Sequence, residues 1–553
     1  MKRTRTLFRK ITAAAAASTL LLSGSSTVLA ASYQEAEKVA LSQFIKGFSS
    51  YWDVVMEDQE KAMAGTKAVM TLKLEDGGKT LLSAASGGMD FSWLNTLTMD
   101  MTAAVTEGKE IVNGAILLND SPLCNMNMYM DLNELVEYLQ IPELSETWMK
   151  MPLLDSLEIS EEELAQTFES EEEMQAYMEY MEAYKASMKN NFKVLSDLTS
   201  FLPDTATVSA LLDRYGNIII DSTAEGTSSE ETISVEGISE DCTVYESQIT
   251  EAGVLSMMKN ILTTAKEDQE LKGLLDKWSE TSGEDLNAQL QTNADALLAD
   301  LTGEGSDAAV VTSKAWVNAD GKIIGREISA EDETGSIPVF TWKNPSSDEK
   351  SALFIEFGAG EETMTFTGTG QSAEGLLNGE YVFAVNSVKM LGIKAENLET
   401  HPKVPGYYNG KIGVSVLDAG TEEAPNPLAA FGLDINVASD AEAKTNQVDF
   451  TVTNSGAALV TLSVNGGYAD ASVSAPEQAV LDASLDITEE GAETSYIQGM
   501  DWTAILDNAS AAGAPAELVG AFDQMIQQAV DNALNPPQEE EITETESAAD
   551  AAA

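Results

Sequence analysis

Residues 97–105, Leu-Thr-Met-Asp-Met-Thr-Ala-Ala-Val, alternate apolar and polar side chains at most steps. A period of two is typical of a β-strand with one buried face and one solvated face. The same alternation appears in three neighbouring segments, Met70–Leu74, Ile111–Leu118 and Met126–Met130, and Glu107-Gly108-Lys109 supplies a turn between two of them. We therefore predict an antiparallel meander of four strands with one apolar, methionine-rich face.

Helical periodicity flanks this meander on both sides. Tyr33 to Met63 carries one apolar stripe, and the acidic region after the meander carries another, formed by Met174, Tyr177, Met178, Met181, Met188, Phe192 and Leu195. Neither a sheet face nor a helix stripe can bury its apolar side alone, so we expect the second helix to cover the methionine-bearing face.

Turn signals predict further boundaries in the first half of the chain. Asp76-Gly77-Gly78 is expected to be a turn after the first strand, and Tyr215-Gly216-Asn217 is expected to join strands at Ala210–Leu212 and Ile218–Ile220.

Short strand signals dominate from Val310 onward, and Ala319-Asp320-Gly321 between two apolar runs predicts a hairpin. The predicted fold class is α+β, with antiparallel meander sheets or open half-barrels covered by helices, in two lobes. The expected organisation is a signal peptide at 1–30, a helix-plus-sheet lobe at 31–280, a linker at 281–309, a mainly antiparallel β lobe at 310–490, a helical segment at 491–535 and a disordered acidic tail at 536–553.

The amino terminus has the three-part layout of a secretory signal peptide. A basic start is followed by the apolar stretch 11–22, and Val28-Leu29-Ala30 provides small residues for cleavage after Ala30. The expected location is therefore outside the cytoplasmic membrane of a bacterium, either secreted or associated with the cell envelope. No second long apolar run follows, so no membrane span is expected.

The formal net charge of −60 limits the partners that we expect. Such an acidic surface repels the phosphates of nucleic acids and anionic lipid headgroups. The simplest interpretation of the acidity is that it keeps the protein dispersed in solution.

Residues that commonly perform catalysis or bind metals are scarce. The single histidine, His401, precedes Pro402 in a predicted loop, and no His pair is available for a catalytic zinc site. The 91 Asp and Glu residues offer too many carboxylate pairs for any pair to indicate a glycosidase. We therefore predict no catalytic residue, no metal site and no cofactor. Cys124 and Cys242 are compatible with one disulfide in an exported protein and equally with two buried thiols.

A helix, a meander with one apolar face and helices able to cover it together suggest a known theme. In residues 33–250 the chain loosely resembles the half-barrel carriers of bacterial envelopes of the LolA and LppX type. The segments Tyr129-Met130-Asp131-Leu132 and Thr147-Trp148-Met149-Lys150 resemble the strand and tryptophan passages of those carriers. The chain is also similar to large uncharacterised exported proteins of Gram-positive bacteria, which implies no activity.

The sequence favours an exported, non-enzymatic binding protein over the other classes. Its ligand would be an apolar small molecule held between sheet and helices by residues that share one face, because methionine adapts to varied apolar shapes: Met70, Met99, Met101, Met126, Met128 and Met130. Plain core packing explains the same pattern without a ligand. Two alternatives stay open: a structural or interaction module that binds a cell-wall component, and a carboxylate-dependent hydrolase.

Overall fold

A computed structural model describes residues 32–106, 108–154, 168, 170–196, 201–332, 335–359, 362–400, 402–417, 420, 426–468, 475–489 and 491–534. The predicted signal peptide, His401 and the predicted acidic tail lie outside these residues. The described part is α+β, with a large, open, mostly antiparallel sheet and helices, consistent with an open half-barrel covered by helices.

The helices fall into three groups along the chain. The first group precedes or interrupts the early strands, the second lies in the middle of the chain and the third follows the last long strand: α1 (Tyr33–Ala64) and α2 (Asp76–Ala85); α3 (Glu171–Ser196), α4 (Thr205–Asp221), α5 (Glu251–Glu267), α6 (Gln269–Ser282) and α7 (Leu286–Asp300); α8 (Gln478–Asp482), α9 (Ala492–Gln498), α10 (Thr503–Ala511) and α11 (Ala516–Leu534).

The strands likewise form three groups: β1 (Thr66–Leu74), β2 (Thr96–Thr106), β3 (Lys109–Leu118), β4 (Ser121–Asp131), β5 (Val136–Gln140) and β6 (Met149–Pro152); β7 (Ala224–Val235) and β8 (Ile238–Thr250); β9 (Ala309–Asn318), β10 (Ile323–Asp332), β11 (Gly335–Lys343), β12 (Ser346–Ser347), β13 (Lys350–Ala359), β14 (Glu362–Ala373), β15 (Leu376–Val385), β16 (Val388–Glu399), β17 (Gly410–Val416), β18 (Phe431–Asp440), β19 (Thr445–Asn454), β20 (Ala457–Tyr468) and β21 (Leu485–Asp486).

The 21 strands of the described residues belong to one sheet. Consecutive strands pair antiparallel from β7 to β11 and from β13 to β20, and β11 pairs with β13. The sheet then continues from β20 to β1, where Met70 lies opposite Val464, and onward through β2 to β6. The sheet therefore crosses both of the predicted β regions, because its late strands pair with its earliest strand.

The predicted amino-terminal elements are confirmed. Helix α1 differs from the predicted helix by one residue, at its carboxyl-terminal end. It begins at Tyr33 because Ser32 caps it by accepting a hydrogen bond from the backbone N–H of Glu35. The four meander segments lie within β1 to β4, which pair antiparallel in sequence order.

Three local predictions are wrong. Asp76 starts helix α2 instead of a turn. The predicted hairpin around Gly216 is the single helix α4, which Asp204 caps by accepting a hydrogen bond from the backbone N–H of Thr207. Helix α3 makes its main tertiary contacts with α6 instead of with the methionine-bearing face. The prediction failed because helical periodicity identifies an apolar stripe but not the element against which the stripe packs.

The best-buried core lies where the sheet begins, around β8 to β11. Tyr33, Ala36 and Ala40 of α1 pack against Ala315 and other side chains of β9 and β10. A second cluster, formed by Ile249, Val254, Val311, Ile328 and Phe340, lies beside it.

Helix α2 lies so close to β20 that a side chain on Gly78 has no room. A Cβ added there would stand 2.1 Å from the backbone oxygen of Leu459. We expect Gly78→Ala to lower the free energy of unfolding by about 1–3 kcal/mol, because backbone must move to admit the methyl group. Urea denaturation of the full chain measures the change.

Gly47 provides the matched control, since it lies within α1 and a Cβ added there meets nothing within 4 Å. Gly47→Ala is expected to raise stability by about 0.5–1 kcal/mol through the higher helix propensity of alanine. Stabilisation by both substitutions would contradict the tight α2–β20 contact.

Candidate functional site

One face of the sheet is apolar over many strands. Cross-strand pairing places the side chains of one row on the same face, and three such rows are Ala395, Ile412, Ile435, Phe450, Leu462, Leu72, Leu97 and Leu118; Gly410, Val437, Val448, Val464, Met70, Met99, Ile116 and Cys124; and Leu353, Gly368, Tyr381, Ile393, Val414, Leu433 and Val452. The first row crosses eight strands and is therefore about 34 Å long.

Two further rows extend this face toward the well-packed end of the sheet. They are Phe340, Phe357, Met364, Val385 and Val388, and Trp342, Ile355, Phe366, Phe383, Leu391 and Val416. We call the five rows together the apolar floor. No Asp, Glu, Lys, Arg or His belongs to them, and Tyr381 supplies their one hydroxyl.

The opposite face of the same strands is polar. Its central row is Thr369, Glu380, Lys394, Gly413, Asp434, Thr451, Thr461, Lys73 and Thr96. The polar side chains can remain solvated, whereas the apolar floor is stabilised by burial against helices or another molecule.

Helix α1 is attached to the sheet on the floor side near its amino-terminal end. Arg326 on β10 lies opposite Trp342, one strand beyond the end of the floor, and forms an ion pair with Glu37, with Arg326 Nη2 2.9 Å from Glu37 Oε2. The Tyr33 hydroxyl donates to Ser313 Oγ at 2.8 Å. Burial and then the negative charge of Glu37 raise the pKa of Tyr33, so its hydroxyl stays a donor at neutral pH. We call these residues the amino-terminal anchor.

A second attachment holds the other end of α1. Tyr407 donates a hydrogen bond to Asp58 Oδ2 at 3.0 Å, and Lys444 Nζ lies 3.5 Å from Asp58 Oδ1. Tyr468 also hydrogen-bonds this carboxylate, and it lies on the floor side because it follows the floor residue Val464 by four positions on β20. Burial and the hydrogen bond to Asp58 raise the pKa of Tyr407 to about 12. We call these residues the carboxyl-terminal anchor.

Helix α1 therefore runs above the apolar floor between its two anchors, and its 32 residues span about 48 Å. Its middle also rests on α4, where Gly216 faces the side chain of Leu41. Along α1 the rings of Phe44, Phe48 and Trp52 stack in series, with centroids 5.9 and 5.8 Å apart.

Parts of the floor are left open to solvent. Phe357 and Met364 keep 44% and 48% of their surface exposed, and Met70 and Met99 each keep 37%. Large apolar side chains exposed together on one face mark a place where another molecule can bind.

The predicted methionine set lies on one face, as the alternation indicated. Met70 pairs with Met99, and the neighbouring row joins Met101, Gly114 and Met126. Met128 lies opposite Val112, and Met130 is buried opposite Glu110 at the end of the meander. The sequence did not reveal that the strands from β13 to β20 extend this face, because that extension depends on pairing between distant parts of the chain.

The two cysteines are free and lie far apart in the strand order, Cys124 on β4 and Cys242 on β8. Burial raises the pKa of Cys242 to about 11, so this thiol is protonated and unreactive at neutral pH.

A separate cleft elsewhere on the sheet is polar. This cleft of about 1360 Å³ lies between the β7–β8 turn, the β12–β13 turn and the polar face of β14 to β16, and its charged lining residues are Glu236, Asp348, Glu349, Lys350, Glu380, Lys394 and Glu396. The hydrogen bond from Lys394 to Glu396, 2.6 Å long, raises the pKa of this exposed lysine.

Within the described residues, no group of three or more His, Cys, Asp or Glu side chains is placed to hold a metal ion. A search of the same part of the chain for helices long and apolar enough to cross a membrane finds none. Neither a protein family, nor a curated protein, nor a solved structure matches this chain.

Proposed function

We propose that this chain is an exported, non-enzymatic binding protein that holds an apolar small molecule between the apolar floor and α1. The observation that carries the proposal is the floor itself, whose rows cross up to eight strands without a charged side chain. The open side chains Phe357, Met364, Met70 and Met99 support it, because burying them against a ligand is favourable by roughly 25 cal/mol per Å².

The net charge of the chain supports an uncharged occupant over a second copy of the chain. Two copies each carrying a net charge of −60 repel one another, whereas a neutral apolar molecule meets no such barrier. Helix α1 also lies over the floor, which leaves room for a small molecule more readily than for a second protein.

Binding of Nile red, a neutral apolar dye, tests the proposal. Met99→Glu is expected to weaken dye binding at least tenfold, because a carboxylate on the floor must lose its hydration when the dye covers it. Fluorescence titration of the full chain measures the dissociation constants.

Met525→Glu is the matched control, since Met525 is exposed on α11 and does not belong to the floor rows. It is expected to bind the dye as the unsubstituted protein does. Absence of dye binding in the unsubstituted protein would contradict the proposal. So would a stable dimer that Met99→Glu dissociates, which would show that a second copy covers the floor.

A further inference from the structure

Tyr381 is the one hydroxyl-bearing residue of the five rows, although the first row continues beyond Ala395 through Gly379 and Gly370 to Ser351 on β13. Tyr381 lies opposite Gly368 on β14 and Ile393 on β16, and its ring stacks on Phe366 with centroids 5.5 Å apart and 18° between the planes. The ring is therefore fixed within a row of otherwise apolar side chains.

Glycines surround the hydroxyl of Tyr381. Gly370 and Gly379 lie directly opposite each other on β14 and β15. A Cβ added at Gly370 would stand 2.7 Å from the Tyr381 hydroxyl oxygen, and one added at Gly379 would stand 2.8 Å from it. Glycine in a strand is found where another group approaches the backbone closely.

Shielding these glycines accounts for an aromatic ring at position 381 but does not account for its hydroxyl group. An aromatic ring laid over strand glycines shields their backbone, and phenylalanine would do this equally well. The hydroxyl forms no hydrogen bond with any residue that the structure describes. Burial raises the pKa of Tyr381, so the group is a neutral donor and acceptor at physiological pH.

An apolar ligand that covers this hydroxyl displaces the water that solvates it. A polar group left without a partner in an apolar site weakens binding, so the ligand that fits best supplies a hydrogen-bonding group of its own. That group is uncharged, because the floor has no Lys or Arg to neutralise an anion and the whole chain repels anions.

We propose that the Tyr381 hydroxyl is the polar anchor of the floor, and that the ligand is an uncharged amphiphile, an apolar chain that carries an ester, amide or hydroxyl group. This inference rests on the proposed function and adds the ligand class and the residue that orients the ligand.

Tyr381→Phe tests the inference, because it removes the hydroxyl and keeps the ring over the glycines. The probes are monolauroylglycerol, which carries ester and hydroxyl groups, pyrene, which has no hydrogen-bonding group, and laurate, which is anionic. We expect Tyr381→Phe to weaken binding of monolauroylglycerol about five- to tenfold and to leave pyrene binding unchanged. Tyr180→Phe, an exposed tyrosine of α3, is expected to change neither.

The outcomes separate the inference from the proposed function. If pyrene binds and Tyr381→Phe binds monolauroylglycerol as tightly as the unsubstituted protein, the polar anchor is wrong and the apolar site stands. Tighter binding of laurate than of monolauroylglycerol would overturn the uncharged ligand class. If neither pyrene nor monolauroylglycerol binds, both the inference and the proposed function fail.

Discussion

Glu37→Gln is expected to lower the free energy of unfolding by about 3–5 kcal/mol, one of the two largest effects that we predict for a single substitution. Arg326 is 0% exposed, and Glu37 is its ion-pair partner. Removing the carboxylate leaves a buried guanidinium charge without compensation, and that costs far more than the net contribution of the intact pair. Chemical denaturation of the full chain, followed by tryptophan fluorescence, measures the loss.

Two further variants separate an uncompensated charge from general damage to α1. Asp221→Asn removes an exposed ion pair of the same helix, Lys38 with Asp221, and is expected to cost less than about 1 kcal/mol. The double variant Glu37→Leu/Arg326→Met removes both buried charges and is expected to recover much of the loss. A double variant no more stable than Glu37→Gln would contradict this account.

Phe340→Ala is expected to cost about 3–5 kcal/mol, the typical result of removing a fully buried aromatic side chain. Phe340 is 2% exposed and packs with Ile249, Val254 and Ile328. The ring of Phe357, its neighbour in the same row, contacts it at a tilt of 46° with centroids 5.0 Å apart, but Phe357 remains substantially exposed. Phe357→Ala is therefore expected to cost less than about 1 kcal/mol.

The pair of phenylalanines also tests where core ends and binding surface begins. We expect Phe357→Ala to weaken Nile red binding while the fold is retained, whereas Phe340→Ala acts first on stability. Urea midpoints and dye titrations on both variants measure these effects. Equal loss of stability in the two variants would show that the floor is ordinary core at Phe357 as well.

Local patterns predicted the elements that depend on nearby residues. The apolar stripe of α1 and the two-residue alternation of β1 to β4 are strong periodic signals, and both are confirmed. The error at α4 came from Gly216, which is typical of a turn. Here it lies within a helix, and its lack of a side chain lets Leu41 of α1 pack closely against it.

Contacts between distant parts of the chain could not be predicted from local sequence patterns. Nothing in the alternation of β1 identifies β20 as its second neighbour, and nothing in the stripe of α3 identifies α6 as its partner. Most of the apolar floor was not predicted for the same reason, because it depends on pairing between distant strands. A local signal for Tyr381 did exist, since Gly368, Gly370 and Gly379 weaken two otherwise regular strands around it.

The pairing of β1 with β20 has a consequence for biosynthesis. Met70 and Val464 become neighbours only after almost four hundred intervening residues have been added. Until then the early strands present an unpaired backbone edge and a bare apolar surface, which is the situation that promotes aggregation of nascent chains. Contacts of such long sequence separation also fold slowly. The first third of the chain is therefore exposed to aggregation until the last third is available to pair with it.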